Sequence, residues 1–363
     1  MAGPLAGLTI VEMAGLGPGP FAAMMLADHG ARVIRVERPG QLAIPNDPLT
    51  RNRESIALDL RDEAAREVVR ALASRADGLI EGYRPGVMER LGLGPDVLIG
   101  ANPRLVFGRI TGWGQDGPLS KEAGHDINYF ALTGLLSCIG ESDRPAVPPL
   151  NLVADYGGGG LMLAFGMVSA LLAVQRGEPG QVIDAAMSDG AALVGAVIYG
   201  LRAAGAWKDE RGANLLDGGN PIYGCYRCSD GKEIAVGAIE PQFRAALLDE
   251  LGLGPMPSRQ DMAAVIATGK RDEWIARFAG KDACVAPVLG LDEAPDHPHN
   301  CARGTFFALD GVVQPAPAPR YSRTRPAIPS APRPDGADGA AILAELGYPE
   351  GAISDLKDRG VLR

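Results

Sequence analysis

His125 and Asp155 are two proton-transfer side chains of different chemical type. The histidine lies in the segment Gly-His-Asp at 124–126, and the aspartate is followed by Tyr-Gly-Gly-Gly-Gly at 156–160. Two such groups that face each other across one carbon atom can remove a proton from one face and return it to the other. The glycines predict accessible backbone amides at a helix start, where an enolate oxygen would be stabilised.

Each of these residues also has a structural interpretation. His125 is equally consistent with a histidine that serves only packing, and Asp155 with a helix N-cap, a role that is compatible with catalysis. Glu240 precedes Pro241, a residue typical of a first helical turn, so it occupies a capping position for which Glu is poorly suited. An acidic group there is suited to orienting an imidazole.

The composition describes an ordinary globular protein with an uneven charge distribution. The 363 residues are 46% hydrophobic and 22% charged, and the net charge of −9 argues against nucleic acid as a partner. Arginines nevertheless recur between residues 32 and 90, which suits a polyphosphate ligand, although solvated helix faces explain most of them. They include Arg35, Arg38, Arg51, Arg53, Arg61, Arg66, Arg70, Arg75 and Arg84.

Five scattered cysteines indicate a reducing compartment. Cys225 and Cys228 form a lone CxxC pair without the second pair that a zinc site needs, so we expect no metal. No signal peptide is recognisable, and the apolar stretch at 161–174 is too short to span a bilayer. We therefore expect a cytoplasmic protein that has no membrane partner.

Strand-like and helical patterns alternate through the first 110 residues, which predicts an α/β fold with a parallel sheet. Strands are predicted at 8–13, 32–37, 56–60, 78–80 and 105–110, and helices at 21–29, 62–75, 126–136, 160–174 and 189–206. A Ser-Asp-Gly turn between 222–227 and 233–238 predicts a hairpin, and helices follow at 241–251 and 272–278.

These patterns predict two domains. A large domain comprises residues 1–214 and is completed by 315–363, which return through a Pro-rich linker and carry helices at 339–346 and 351–358. A smaller α+β domain comprises 215–314. Gly15, Gly17 and Gly19 after the first strand imitate a dinucleotide fingerprint, but Pro20 replaces its third glycine, so NAD(P) binding is not favoured.

Taken together, the sequence resembles the superfamily of family III CoA-transferases and α-methylacyl-CoA racemases, and within it the racemases. The resemblance is carried by motifs along nearly the whole chain. They lie at 8–13, 17–20, 31–39, 51–53, 81–86, 90–93, 112–118, 124–126 and 346–348, and the segments at 123–129 and 236–243 are the most specific to the racemases.

The resemblance implies a Rossmann-like large domain, a smaller domain and an interlocked homodimer, with each active site between domains of different subunits. It implies an acyl-CoA thioester substrate and no metal or other cofactor, since coenzyme A is part of the substrate. His125 and Asp155 match the two acid/base groups of the racemases, and Glu240 matches the residue that hydrogen-bonds the histidine. The positions that match coenzyme A contacts are Arg38, Leu58, Asp59, Leu60, Arg61, Gly82, Tyr83, Arg84, Arg90, Gly124, Asp126, Ile127, Asn128 and Tyr129.

The alternative within the superfamily is a CoA-transferase with Asp155 as nucleophile. Such transferases usually carry tyrosine at the position of His125, which favours the racemase. A catalytically idle CoA-binding protein and a dehydrogenase are more distant alternatives. The acyl group is left open by the sequence: branched fatty acids, sterol side chains and aryl-propionates all fit a hydrophobic surface.

Overall fold

The computed structural model describes residues 3–38, 44, 46–326 and 328–363, so Pro39 of one family motif lies outside the described residues. The chain forms two compact units. The first contains residues up to 133, 150–194 and 306–363, and the second contains 134–149 and 195–305. These limits differ from the domain limits drawn after residues 214 and 314, which stay a prediction.

A six-stranded parallel sheet forms the centre of the first unit. Its strands are β1 (Thr9–Met13), β2 (Arg32–Glu37), β3 (Arg53–Ala57), β4 (Gly78–Glu81), β5 (Val106–Thr111) and β6 (Val182–Ala186). Their spatial order is β3-β2-β1-β4-β5-β6, with Ile10 opposite both Val33 and Gly78. This is the doubly wound order, in which ligands bind beyond the carboxyl ends of the strands where the order reverses. The predicted α/β fold is confirmed, and the ends of β1 and β4 mark the expected site.

Helices cover both faces of this sheet. They are α1 (Pro18–Asp28), α2 (Glu63–Arg75), α3 (Val87–Arg90), α4 (Pro95–Ala101), α5 (Asp126–Leu132), a π-helix (Leu152–Leu161), α6 (Met162–Gln175), α7 (Met187–Val194), α13 (Gly339–Leu346) and α14 (Glu350–Asp358). The apolar sides of α2, α13 and α14 share one buried core with Val11, Ile34 and Leu79 of the sheet. On the other face, Met167 of α6 approaches Gly78 and Gly108, where any Cβ would collide with it.

Two strands differ from their predictions. β3 was expected at 56–60 and lies at Arg53–Ala57, because the buried Arg53 and Ser55 satisfy their polar groups within the fold instead of at the surface. Arg53 donates to Glu12, and the hydroxyl oxygen of Ser55 accepts from the amide of Gly336. β6 was not predicted, since its first three residues are exposed or half-buried and Asp184 interrupts its apolar pattern.

The π-helix and α6 run without a break from Leu152 to Gln175, which is longer than the helix predicted at 160–174. This 24-residue segment is the one candidate, among the described residues, with the length and mean hydropathy of a membrane span. Half of its most apolar window is buried inside the fold. The stretch at 161–174 is thus part of a helix that is long enough to cross a bilayer, while the packing of this helix against the sheet is that of a core helix.

The second unit has its own sheet and core. β7 (Tyr223–Arg227), β8 (Glu233–Gly237) and β9 (Val285–Val288) are antiparallel, and β7 and β8 form the predicted hairpin. The helices of this unit are α8 (Ala196–Ala203), α9 (Pro241–Leu251), α10 (Arg259–Ile266), α11 (Arg271–Phe278) and α12 (Pro298–Arg303). Ile234, Leu247 and Trp274 are buried together. A hairpin of β10 (Phe306–Leu309) and β11 (Val312–Pro315), which was not predicted, returns the chain to the first unit.

Candidate active site

A cavity of about 1120 Å³ opens at the carboxyl ends of the parallel strands, within the first unit. The loop at 15–17 and the first residues of α1 at 18–20 form one wall together with Gly82, which follows β4. His125 at the start of α5 and Asp155 in the π-helix both line this cavity. The two predicted acid/base groups are therefore brought together at the place where the strand order predicts a ligand.

His125 is the N-cap residue of α5, and its side chain is exposed to the cavity. Its extended backbone is held by its own amide, which donates to Oδ1 of Asn128 over 3.0 Å. Tyr129 donates its hydroxyl to the Gly124 carbonyl and packs edge-on against Trp113 at 4.7 Å between ring centroids. These contacts fix the loop that precedes the imidazole.

Glycines are required in this loop by close packing. A Cβ on Gly112 would lie 2.0 Å from the Tyr129 ring, and one on Gly124 would lie 2.7 Å from it. The segments at 112–118 and 124–126 thus meet on one aromatic ring, which explains two of the family motifs in terms of space.

Asp155 is half-buried inside the π-helix and is not an N-cap, a position that belongs to Asn151. Asn151 donates its Nδ2 to Oδ2 of Asp155 over 3.2 Å. Burial raises the pKa of the Asp155 carboxyl, the hydrogen bond from Asn151 opposes this, and the charges of Asp126 and His125 raise and lower it respectively. The net pKa is above the usual range for aspartate, and the imidazole lies close enough to affect it.

The glycine run serves helix packing, which corrects the expectation of accessible amides. A Cβ on Gly158 would lie 2.4 Å from the Ala191 nitrogen, and one on Gly160 would lie 2.7 Å from the Pro18 carbonyl oxygen. The run lies inside the π-helix, where amides are used in the i→i+5 hydrogen bonds of the helix. The amides of Ala154 and Asp155 are also occupied, since both donate to Asp126.

A second cavity of about 470 Å³ adjoins the first and shares His125, Tyr129 and Met187 with it. Arg84 and Asn128 line the second cavity only. The imidazole of His125 therefore stands at the junction of two spaces, one that reaches Asp155 and one that reaches a cationic side chain.

Several of the recurring arginines are structural. Arg35 and Arg53 both donate to the fully buried Glu12, with Arg53 at 3.0 Å. Burial alone raises the pKa of Glu12, but the charges of Arg53 and Arg35 and their hydrogen bonds hold it below its usual value. Arg51 pairs with the buried Asp28 in the same way. Arg35 and Arg53 line the cavity, so the Glu12 cluster fixes part of its wall, whereas Asp28 and Arg51 lie at the amino ends of the strands.

Arg38, Arg84 and Arg90 differ from these arginines. All three are exposed, and none of them forms an ion pair or a side-chain hydrogen bond with another residue that the structure describes. Arg38 follows β2, and Arg84 and Arg90 follow β4, so all three lie beyond the carboxyl edge of the sheet. Arg38 is also near Tyr83, whose pKa its charge lowers against the larger effect of burial.

The other predicted contact positions fall into two groups. Gly82 and Gly124 line both cavities, Tyr129 does so too, and Tyr83 and Asn128 line the second. Away from the cavities, Leu58 is fully buried and bridges Leu362, while Asp59 and Arg61 form a surface ion pair. The remaining positions are the half-buried Leu60, the exposed Ile127, and Asp126, whose buried side chain faces the π-helix.

Glu240 belongs to the second unit, where it is exposed and immediately precedes α9. Its predicted hydrogen bond with an imidazole stays a prediction. Among the described residues, no group of three or more His, Cys, Asp or Glu is arranged to hold a metal ion. Cys225 is exposed, Cys228 is buried, and both are free thiols.

Asn151 and Tyr156 line the cavity beside Asp155 and were not predicted. The signal was present in the spacing, because Asn151 precedes Asp155 by four residues, which places both on one side of a helix. It was missed because the helix was predicted to start at residue 160.

A doubly wound sheet with a histidine and a carboxyl on one cavity at its carboxyl edge is typical of an α/β enzyme whose site is suited to proton transfer. The chain belongs to the CoA-transferase family III, whose model matches residues 5–339. It is 46% identical to the α-methylacyl-CoA racemase of Mus musculus over 97% of this chain and 96% of that protein. It is 44% identical to the Homo sapiens racemase over 99% of this chain and 97% of that protein.

Solved structures give the same result for the fold. A CAIB/BAIF family protein from Brucella suis superposes with a TM-score of 0.83 at 28% sequence identity, covering 95% of this chain and all of that one.

The curated succinyl-CoA:glutarate CoA-transferase of Mus musculus is 28% identical over 99% of this chain. Similarity to the two mammalian racemases is therefore much higher than to this transferase.

Proposed function

We propose that this protein interconverts the two stereoisomers of 2-methylacyl-CoA thioesters by proton transfer at the α-carbon. The observation that carries the proposal is the placement of His125 and Asp155 on one cavity at the carboxyl edge of the sheet. Full-length similarity to two racemases supports it. The reaction needs no further cofactor, because the thioester itself acidifies the α-proton.

The proposed mechanism uses the two groups in alternate roles. One group removes the α-proton to give an enolate, and the other returns a proton to the opposite face. Which group acts as base depends on the bound stereoisomer. Free aspartate and histidine titrate near pH 4 and near pH 6.5, respectively. Burial raises the pKa of Asp155, which makes its carboxylate a stronger base towards the α-proton.

The enolate oxygen needs donors other than the glycine amides. A helix leaves its first amides without an intrahelical acceptor. In the π-helix, Asp126 accepts from the amides of Ala154 and Asp155. The donors to the enolate oxygen must therefore be amides other than those of Ala154, Asp155 and the glycine run.

Coenzyme A would be anchored by the three exposed arginines. Arg38, Arg84 and Arg90 keep their guanidinium groups available beyond the carboxyl edge of the sheet, and Arg84 lines the cavity that adjoins His125. Phosphate groups bound there would hold the thioester in place, so that remote binding energy contributes to positioning the α-carbon.

The proposed active form is a homodimer. Leu161, Phe165, Val168 and Leu172 form an exposed apolar stripe at helical spacing along the π-helix and α6, and Phe165 is 70% exposed. A continuous apolar stripe of this kind is typical of a protein interface. In such a dimer Glu240 of the second copy would orient His125, as the resemblance implies. The free thiols fit a reducing, cytoplasmic environment.

Deuterium incorporation from heavy water tests the proposal. The full-length protein is incubated with each stereoisomer of several 2-methylacyl-CoA thioesters, and mass spectrometry and chiral analysis follow the α-carbon. We expect α-deuteration and loss of optical purity from both stereoisomers. His125→Ala and Asp155→Ala should each lower the rate by about 10²–10⁴-fold.

His299→Ala is the matched control, since His299 is an exposed histidine of α12 outside the cavity. It should retain the wild-type rate. Transfer of CoA between two carboxylic acids without α-deuteration would contradict the racemase and favour the transferase. The same panel of thioesters identifies the preferred acyl group.

A further inference from the structure

Asp126 directs its side chain away from the ligand cavity and into the fold. It is the first residue of α5 and is only 4% exposed. Its Oδ2 accepts two hydrogen bonds, from the Ala154 amide at 2.7 Å and from the Asp155 amide at 2.8 Å. Although the resemblance places Asp126 among coenzyme A contacts, its observed partners are backbone groups of the π-helix.

These two hydrogen bonds connect the two acid/base groups by a short path. Asp126 is covalently joined to His125, and its carboxyl is bound to the backbone of Asp155 itself. The backbone atoms that carry the imidazole and the carboxyl are therefore linked through one side chain. Any movement of α5 relative to the π-helix would have to break these bonds or take both groups along.

The second carboxyl oxygen of Asp126 gives an independent observation. Its Oδ1 is buried and accepts no hydrogen bond from a described residue. A buried carboxyl oxygen without a partner is costly, and such groups in native structures are rare. An asparagine side chain would supply the same acceptor to both amides without a buried charge. The two hydrogen bonds from the amides of Ala154 and Asp155 to Asp126, which we call the tether, therefore do not by themselves account for a carboxyl group at this position.

We propose that Asp126 is a positioning residue that fixes the distance between His125 and Asp155 and places a negative charge beside the Asp155 carboxyl. This inference rests on the proposed function. A negative charge beside a carboxyl disfavours its ionised form and so makes it a stronger base. The groups known to act on the Asp155 carboxyl are Asp126, His125 and Asn151, and the charge of Asp126 acts in the same direction as burial.

Two substitutions separate the two parts of this role. Asp126→Asn keeps an acceptor for both amides and removes the charge. The acidic limb of the pH–rate profile, which reports protonation of Asp155, should therefore move to lower pH by roughly half a unit or more. The value of kcat at the optimum pH should stay within a few-fold of wild type. Asp126→Ala removes the tether as well. It should lower kcat by about 10–100-fold with KM little changed, since small displacements of reacting groups have effects of this size.

Asp62→Asn is the matched control, because Asp62 also accepts a helix amide, from Ala64 at 2.8 Å, but lies outside the cavity. Its pH profile should equal that of wild type. Amide hydrogen exchange on the wild-type protein provides a readout that depends on no variant. The amides of Ala154 and Asp155 should be strongly protected, and a rapid exchange of both would overturn the tether.

The outcomes distinguish this inference from the proposed function. If wild type deuterates the α-carbon and both Asp126 variants retain its pH profile and kcat, Asp126 has no positioning role. If both variants lose activity only in proportion to lost folded protein, measured by thermal unfolding, its role is structural and the inference fails. If wild type shows no deuteration at all, the proposed function itself fails, whatever the amide exchange shows.

Discussion

Asn151 and Asp126 act on the Asp155 carboxyl in opposite directions. Asn151 donates to Oδ2 and stabilises the charged form, whereas the negative charge of Asp126 disfavours it. Burial is the largest contribution and raises the pKa. The basicity of Asp155 is thus set by a balance, and single substitutions can shift it either way.

Asn151→Ala should move the acidic limb of the pH–rate profile, which reports protonation of Asp155, to higher pH. The hydrogen bond from Asn151 lowers the pKa of Asp155, so its removal raises that pKa. Asp155 is then protonated at a higher pH, and activity that needs its carboxylate is lost at a higher pH on acidification. The expected shift is roughly half a unit to one unit. The rate of α-deuteration measured against pH from each stereoisomer checks this shift. The apparent pKa values obtained in this way belong to His125 and Asp155 as a coupled pair.

Asn300→Ala is the control for this prediction. Asn300 donates to the Ala294 carbonyl in the second unit, outside the cavity. A shift to lower pH in Asn151→Ala, or an equal shift in Asn300→Ala, would contradict the assignment.

The exposed arginines lead to a prediction on binding. Arg38→Ala, Arg84→Ala and Arg90→Ala should each raise KM for an acyl-CoA by roughly tenfold, because each removes charge-assisted bonds to phosphate. A thioester of N-acetylcysteamine, which has no phosphate, should be unaffected. Arg75→Ala should change neither KM, since Arg75 binds the carbonyls of Glu345 and Leu346. Equal losses with both thioesters would exclude phosphate anchoring.

For single residues, the sequence was informative where the chemistry depends on residue type. His125 and Asp155 were predicted from their types and glycine-rich surroundings, and the structure places both on one cavity. The orientation of Asp126 was not predictable, because an aspartate after a histidine is equally suited to face a ligand or a neighbouring helix. Only the fold shows that its carboxyl reaches the backbone of Asp155.

Among the elements, the π-helix is the one that positions the carboxyl. Its close approach to α7 depends on two facing glycines, since a Cβ on Gly158 would meet Ala191 and one on Gly190 would lie 1.8 Å from the Gly158 carbonyl oxygen. π-Helical segments are rare and are frequently found at functional sites.

Gly158→Ala should therefore destabilise the protein and reduce activity. The added methyl group requires backbone movement, with a cost of about 1–3 kcal/mol or more in the free energy of unfolding. Gly100→Ala is the matched control, because Gly100 lies in α4 with open space around a Cβ, and it should be neutral or stabilise by up to about 1 kcal/mol. Denaturant unfolding measures both, and equal stabilities would contradict the packing argument.

Element boundaries were predicted well where the apolar pattern decides them. Helices at Pro241–Leu251 and Gly339–Leu346 match their predictions, as does the strand at Arg32–Glu37. β3 was displaced because buried ion pairs permit Arg53 to lie inside a sheet, and the π-helix start was missed because a glycine run is a poor helix former by propensity. In both cases tertiary contacts outweigh the local pattern.

For the whole molecule, the exposed apolar stripe of α6 predicts the assembly state. Phe165→Glu should weaken or abolish the proposed homodimer, because a charge would be buried in an apolar interface. Val97→Glu is the control, since Val97 is exposed on α4 without an apolar stripe around it. Light scattering during size-exclusion chromatography measures the mass of each. A wild-type monomer, or a fully dimeric Phe165→Glu, would contradict this interface.

The first unit is assembled from three separate chain segments, and its core includes Ile342, Leu343, Ile353 and Leu356 from the last of them. During synthesis β1 leaves the ribosome more than three hundred residues before these side chains do. At translation rates of about 5–20 residues per second, the sheet waits on the order of tens of seconds for α13 and α14, the last of its covering helices. We therefore expect the nascent chain to depend on chaperones that shield exposed strands until translation ends.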